Sequence, residues 1–328
     1  MSSLILTVGE RLEETHDVTS WRLLPAAGTT LPPVQAGQCI TVHCELGGEP
    51  VSRAYTLSSA PQDPYWQITI KEVGRVSAHL RQHLQVGDSL TVNGPFGEFV
   101  ARQGRAPLLL SAGSGITPMW AMARTALAQD TNADIRFIHS ARSKQDVIFA
   151  RGLDELALQH PGFRLATVLE QSTPEHPWQG RLSAGMLREL APDLLSRDVY
   201  LCGPAPYMAA VAAMLAELGL PAGQLLLESF GQPEPAAEVS GEAHFWFDLA
   251  KRGKRVKILP GQTLLAAAEA AGESIPFACR AGVCGACKVT VFGEVERQST
   301  VSLTSDEIAA GVVLACACTA RSDIRAEL

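Results

Sequence analysis

The sequence predicts a multidomain protein: an antiparallel β-barrel, then an α/β domain on a parallel sheet, then a small α+β domain. Three observations carry this reading. The first hundred residues alternate polar and apolar side chains in short runs broken by Gly, Pro and Asp, as half-buried antiparallel strands do. From Pro107 the pattern changes to buried apolar runs alternating with helical stretches, which indicates parallel strands with helical crossovers. Five of the eight cysteines then fall between Cys279 and Cys318. In a long chain such a cluster points to metal or redox chemistry, whereas a disulfide scaffold spreads its cysteines through a short one.

At 328 residues and 46% hydrophobic content, the chain is long enough for two or three cores. Its 27 Lys and Arg face 34 Asp and Glu, so it lacks the basic excess of a protein that tracks phosphate backbones, and no nucleic-acid partner is expected. The start, MSSLILTVGERLEE, has neither the basic residues nor the long apolar run of a secretory signal, and no stretch approaches the length needed to span a membrane. A cytoplasmic location without membrane contact is the expectation.

The barrel is expected over residues 1–103, with strands in QCITVHCEL, WQITIKEV and DSLTVNG, where Cys39 and Cys44 read as core thiols. Over 104–231 the strands LLLSA, IRFIHSA, RLATVLE and DVYLC alternate with helices such as MWAMARTALAQ and YMAAVAAMLAEL. Residues 232–243, QPEPAAEVSGEA, offer no apolar face and read as a linker. In 244–328, HFWFDLA and KRVKILP read as paired strands and QTLLAAAEAAG as a helix ended by Gly272.

Cys279, Cys284 and Cys287 give C-x4-C-x2-C, and Cys316 lies in VLACAC further on, which is the plant-type [2Fe–2S] spacing. Two irons need four thiolates, three from one loop and one from a distant anchor. Gly282, Gly285 and Ala286 are small enough to let backbone amides turn towards the sulfurs. Four buried structural thiols or a zinc site are the competing readings, and zinc favours paired C-x2-C knuckles. Cys318, two residues beyond Cys316, is expected to face away from the cluster as a packed thiol.

Other segments carry chemistry more weakly. RAYTLSS places Arg53, Tyr55 and Thr56 on one extended segment, which by itself also suits a surface strand. GRVS, from Gly74 to Ser77, opens a helix, and helix N-termini favour anions. SAGSGITP follows a buried strand and precedes a helix, where glycines let a pyrophosphate approach the backbone, although an ordinary turn would look alike.

Taken together and in this order, these segments resemble the ferredoxin-NADP reductase superfamily over nearly the whole chain. The resemblance implies a flavin barrel, a nicotinamide-nucleotide domain and a β-grasp-like ferredoxin domain. It also implies FAD, or FMN, held by Arg53, Ala54, Tyr55, Thr56, Lys71, Gly74, Val76 and Ser77. On the nicotinamide side it implies Gly113, Gly115, Thr117, Pro118, Cys202, Gly203 and Pro204, with Glu228 and Phe230 from the closing E-x-F. Thr56, Cys202 and Phe230 would border the transferred hydride. Arg142 would meet the nucleotide's ribose or phosphate, a solvated arginine being the alternative; without a denser cationic patch, NADH is expected over NADPH. Gly94 to Phe99, GPFGEF, is taken as structural, and His139 and His244 as packing or surface residues. Electrons would leave through the [2Fe–2S] cluster to a partner protein. Within the group, the reductases of hybrid-cluster protein are the nearest likeness, and those feeding Rieske-type oxygenases that demethylate quaternary amines come next. A redox sensor or carrier without nucleotide turnover is the reading from a different class.

Overall fold

The computed structural model describes residues 3–327 apart from 173, 229, 231–243, 274, 278–281, 283–284, 286 and 301–302. The expected linker, 232–243, and Cys279 and Cys284 therefore lie outside the described residues.

The N-terminal unit contains β1 (Leu4–Thr15), β2 (Val18–Pro25), β3 (Cys39–Leu46), β4 (Glu49–Thr56), β5 (Trp66–Lys71), α1 (Arg75–His83) and β6 (Ser89–Phe96). The sheet runs β4-β3-β6-β1-β2-β5 with antiparallel neighbours, and a bridge between Leu57 and Ile68 joins its two edges into a barrel. Trp21, Ile40, Val42, Trp66 and Ile68 fill the interior. Alternation is blurred in β2 and β5 because their polar positions are buried too. Those positions satisfy one another: Thr69 Oγ1 lies 2.7 Å from both Ser20 Oγ and Ser58 Oγ.

The second unit contains β7 (Pro107–Ala112), α2 (Ile116–Gln129), β8 (Ile135–Ala141), α3 (Ala150–Gln159), β9 (Phe163–Leu169), α4 (Ala184–Leu190), β10 (Asp198–Cys202), α5 (Ala205–Glu217) and β11 (Leu225–Glu228). Its parallel sheet runs β11-β10-β7-β8-β9, so the strand order reverses between β7 and β10. Ligands of open α/β sheets bind at such a switch point, outside the carboxyl ends of the strands. One face packs Leu109, Phe137 and Tyr200 with α2, α3 and three barrel residues, Val18, Ala36 and Phe99. The other packs Leu108, Leu110, Val199 and Leu201 with α4 and α5. GPFGEF contributes to this packing through Phe99. Phe99 meets Tyr200 edge-on at 5.8 Å, and Arg102, just beyond, donates its amide to Tyr200 Oη at 2.6 Å.

The third unit contains β12 (Phe245–Leu249), β13 (Lys254–Ile258), α6 (Leu264–Ala270), β14 (Lys288–Phe292), β15 (Val295–Arg297), α7 (Ser305–Ala309), β16 (Val312–Leu314), β17 (Cys318–Ala320) and β18 (Ile324–Ala326). Its mixed sheet runs β13-β12-β18-β14-β16, with α6 packed on the core and β15 paired to β17. The expected β12–β13 pair is antiparallel. VLACAC is not one continuous strand: Cys316 lies in a 3-10 turn over Ala315–Ala317 and Cys318 opens β17, so the same-face placement that a strand gives residues two apart does not apply to this pair. Among the described residues, no helix is long and apolar enough to cross a membrane.

Candidate functional site

A cavity of about 560 Å³ opens between the barrel and the second unit. The end of β4 supplies Arg53, Ala54, Tyr55 and Thr56; β5 and the segment after it supply Lys71, Val73 and Gly74; α1 supplies Arg75, Val76 and Ser77. Ser114 and Thr117 come from the start of α2 and its approach, and Phe230 from beyond β11. Residues from Arg53 to Phe230 thus face one space.

Local chemistry explains the shape of the barrel side. Ser77 Oγ accepts from the amides of Val73 and Gly74, each at 3.0 Å, and donates to Gly74 O at 2.9 Å, which ties the loop onto the helix. Helix geometry leaves the next amides, those of Arg75, Val76 and Ser77, without intrahelical acceptors, and the dipole adds positive potential there. Lys71 pairs with Asp17 at 2.9 Å, so its charge is shared with the barrel. Arg75 is exposed at the cavity rim; the sequence reading passed over it, although its place between Gly74 and Val76 was a usable signal.

On the other side, SAGSG turns sharply. Gly115 packs directly beneath the end of β10, where a Cβ would lie 2.3 Å from Cys202 O, so only glycine fits. Thr117 Oγ1 donates to Ser114 O at 3.1 Å, while Pro118 is buried in the first turn of α2. Cys202 and Gly203 are buried and Pro204 is exposed. Arg142 and Lys144 are exposed after β8, outside the lining of this cavity.

Glu228 links the two units. Its Oε2 accepts from Thr56 Oγ1 at 3.3 Å across the interface. Burial raises its carboxyl to about 8, so it is neutral over most of the physiological range. Burial, with Glu228 nearby, likewise pushes the Cys202 thiol well up. The same interface is pinned by Arg124, which grips Asp63 with two hydrogen bonds of 2.7 and 2.9 Å.

In the third unit, Cys287 Sγ and Cys316 Sγ stand 3.3 Å apart in the core, and the Gly282 amide donates to Cys316 Sγ at 3.2 Å. Gly282 has a positive φ of 70°, and a Cβ there would meet Ala317 and Ser299 within 2.7 Å. Both features suit a loop that aims amides at sulfur. Converging thiols with a backbone donor fit an iron–sulfur cluster, and an aromatic-walled cavity with cations and a helix N-terminus fits a flavin and its phosphates.

Comparison with known proteins agrees domain by domain. Residues 6–100 match the oxidoreductase FAD-binding domain, 109–213 the oxidoreductase NAD-binding domain, and 247–321 the 2Fe-2S iron-sulfur cluster binding domain. The glycine betaine monooxygenase reductase subunit of Pseudomonas aeruginosa is 37% identical, over 95% of this chain and 92% of that one. NADH oxidoreductase HCR of Escherichia coli is 37% identical over 89% and 88%. The solved structure of phthalate dioxygenase reductase superposes with a TM-score of 0.69 at 24% identity, covering all of this chain and 98% of that one, and shares the fold. Three modules matched in order, and relatives matched over nearly their whole length, leave one conclusion: the chain belongs to the ferredoxin-NADP reductase-like oxidoreductases, as an NAD(H)-dependent reductase with FAD-binding, NAD-binding and [2Fe–2S] ferredoxin domains.

Proposed function

We propose that this reductase supplies electrons from NADH to the oxygenase component of a system that oxidises a quaternary amine. The observation that carries the reading is the full-length match to glycine betaine monooxygenase reductase subunits, joined by the stachydrine N-demethylase reductase subunit of Rhizobium meliloti at 34% identity. The match to NADH oxidoreductase HCR supports a second reading, with hybrid-cluster protein as acceptor.

Flavin, when bound, accepts two electrons as hydride and returns them singly, which a one-electron cluster requires. The chain's own part is holding and aligning. Arg53, Lys71 and the amides after Gly74 would hold the phosphates, Ala54, Tyr55 and Thr56 would line the ring, and Phe230 would cover it. Gly113, Gly115, Thr117, Pro118, Gly203 and Pro204 shape the nicotinamide approach, with Cys202 bordering the hydride path and Arg142 reaching the nucleotide's ribose or phosphate. Glu228, kept neutral, puts no negative charge beside that path. Cys279, Cys284, Cys287 and Cys316 hold the cluster. In this reading the domains run 1–103, 104–231 and 244–328, joined by 232–243.

The test is reconstitution with purified components. With NADH, the holoenzyme should drive product formation by a glycine betaine-oxidising oxygenase component at least about tenfold faster than it reduces hybrid-cluster protein, a ratio worth about 1.4 kcal/mol in the transition state. The reverse ratio would favour the second reading.

A further inference from the structure

Two segments leave the carboxyl ends of neighbouring strands, at the edge where ligands of open parallel sheets bind: the turn Gly113–Gly115 after β7 and residues 142–149 after β8. The second is held in one shape along its length. At its start, Arg142 O accepts from the Gln171 amide at 2.6 Å. In its middle, Ser143 Oγ donates to Asp146 Oδ2 at 2.6 Å, and the Asp146 amide donates to Ser143 O at 3.1 Å. At its end stands Phe149, with φ 59° and ψ 24°, the one non-glycine with a positive φ among the described residues. A bulky side chain rarely takes this left-handed conformation, which persists only where the surroundings over-determine it.

Trp120 supplies that constraint. Its indole stacks on the buried Phe149 ring, with centroids 5.1 Å apart and planes inclined by 18°. One turn further along α2, the Arg124 guanidinium stands 5.6 Å from the centre of the indole while it grips Asp63 of the barrel. From α3, Gly152 leaves room for the indole, because a Cβ there would sit 2.6 Å from it. Contacts therefore run from the barrel through Arg124 and Trp120 to the backbone turn that ends the segment. Trp120 also lies only three residues after Thr117 on α2, so it ties the two segments to each other.

We infer that Trp120 is a positioning residue for NADH: stacked on Phe149 and steadied by Arg124, it keeps residues 142–149 in the shape that receives the nucleotide. The inference rests on the reading above that Arg142 meets the nucleotide's ribose or phosphate. Its distinctive consequence is a change in nucleotide binding that leaves flavin and turnover in place.

The experiment uses full-length holoenzyme. In NADH-dependent ferricyanide reduction, Trp120→Leu should raise KM for NADH about fivefold, with kcat and flavin content within about twofold of the parent. Trp120→Phe, which keeps a ring to stack, should stay within about twofold of the parent KM. Gly152→Ala should raise KM by displacing the indole, and in the Trp120→Leu background it should add less than about a twofold further rise. A reading independent of turnover is hydrogen exchange across 142–149. It should slow when NAD+ is added to the parent, and without NAD+ it should be faster in Trp120→Leu than in the parent. An unchanged KM in Trp120→Leu, a fall in kcat or flavin content with KM unmoved, or a Gly152→Ala effect that persists in full without the indole would each overturn the inference. Should Trp120→Leu not fold, Gly152→Ala still decides, because KM and exchange both unchanged there would overturn it too. If NAD+ leaves exchange across 142–149 unchanged in the parent, the reading that this segment meets the nucleotide falls and takes the inference with it. If NAD+ protects the segment and Trp120→Leu keeps the parent KM, only the inference falls.

Discussion

Glu228 shows how far surroundings can change one residue. Its folded carboxyl is raised to about 8 from an ordinary 4.5, chiefly by burial and partly offset by the Thr56 hydroxyl. The sign of the linkage follows. Below pH 4.5 both folded and unfolded forms hold the proton. Between about 4.5 and 8 only the folded form does, so stability falls as pH rises through that window and levels off above it. Glu228→Gln removes the titration. Its melting temperature relative to the parent should therefore climb steadily from pH 5 to pH 8, and a gap that stays constant across that range would show the carboxyl to be ionised in the fold. None of this was legible from the sequence, where Glu228 stood out only through its place in E-x-F; its hydrogen-bond partner Thr56 lies 172 positions away, in the barrel.

At the scale of elements, legibility depended on whether a segment acts through its own neighbours. RAYTLSS, GRVS and SAGSGITP could be read because strand end, helix start and turn are each contiguous, and all three line the cavity. Contacts made between elements were silent. Arg197, only 1% exposed, is held by Asp134 and Asp193 and by the carbonyls of Pro107 and Asp134, which locks the start of β10 to β7 and β8, yet it looks like any loop arginine in sequence. The stretch from β16 to β17 is the instructive case. The 3-10 turn over Ala315–Ala317 brings Cys316 to the Gly282 amide and Cys287 Sγ, whereas Cys318 already belongs to β17, opposite Arg297. Cys316→Ser should therefore abolish or distort the visible [2Fe–2S] spectrum, while Cys318→Ser should leave it largely intact. The opposite outcome would move the fourth ligand to Cys318.

Across the whole molecule, charge and packing divide differently from the sequence pattern. Residues 244–328 hold 10 basic and 9 acidic residues, so the acidic excess lies in the rest of the chain. In sequence the run KRGKRVK suits a solvated hairpin tip, or a surface that steers an acidic partner. Within it, however, Arg252 and Lys254 pair with Glu273, and Arg255 with Asp248 and Asp323, so much of that charge is balanced inside its own unit. The buried clusters set the modularity. Among the described residues, the core of the third unit runs from Phe247 to Ala326 and includes nothing from the other two, whereas Val18, Ala36 and Phe99 of the barrel pack into the same cluster as α2 and the parallel sheet. Cutting the chain within 232–243 severs no described core; cutting near residue 103 would expose a shared one and break the Asp63–Arg124 and Thr56–Glu228 contacts as well. The fragment 1–231 should accordingly fold, retain flavin and reduce ferricyanide with NADH at a rate close to that of the full chain, while 1–103 alone should be far less stable than 1–231 in thermal unfolding. Transfer to a protein acceptor that docks at the cluster should be lost in 1–231. A truncated protein that still reduced such an acceptor at the full-length rate would mean that electrons leave directly from the flavin, and the order of transfer would have to be redrawn.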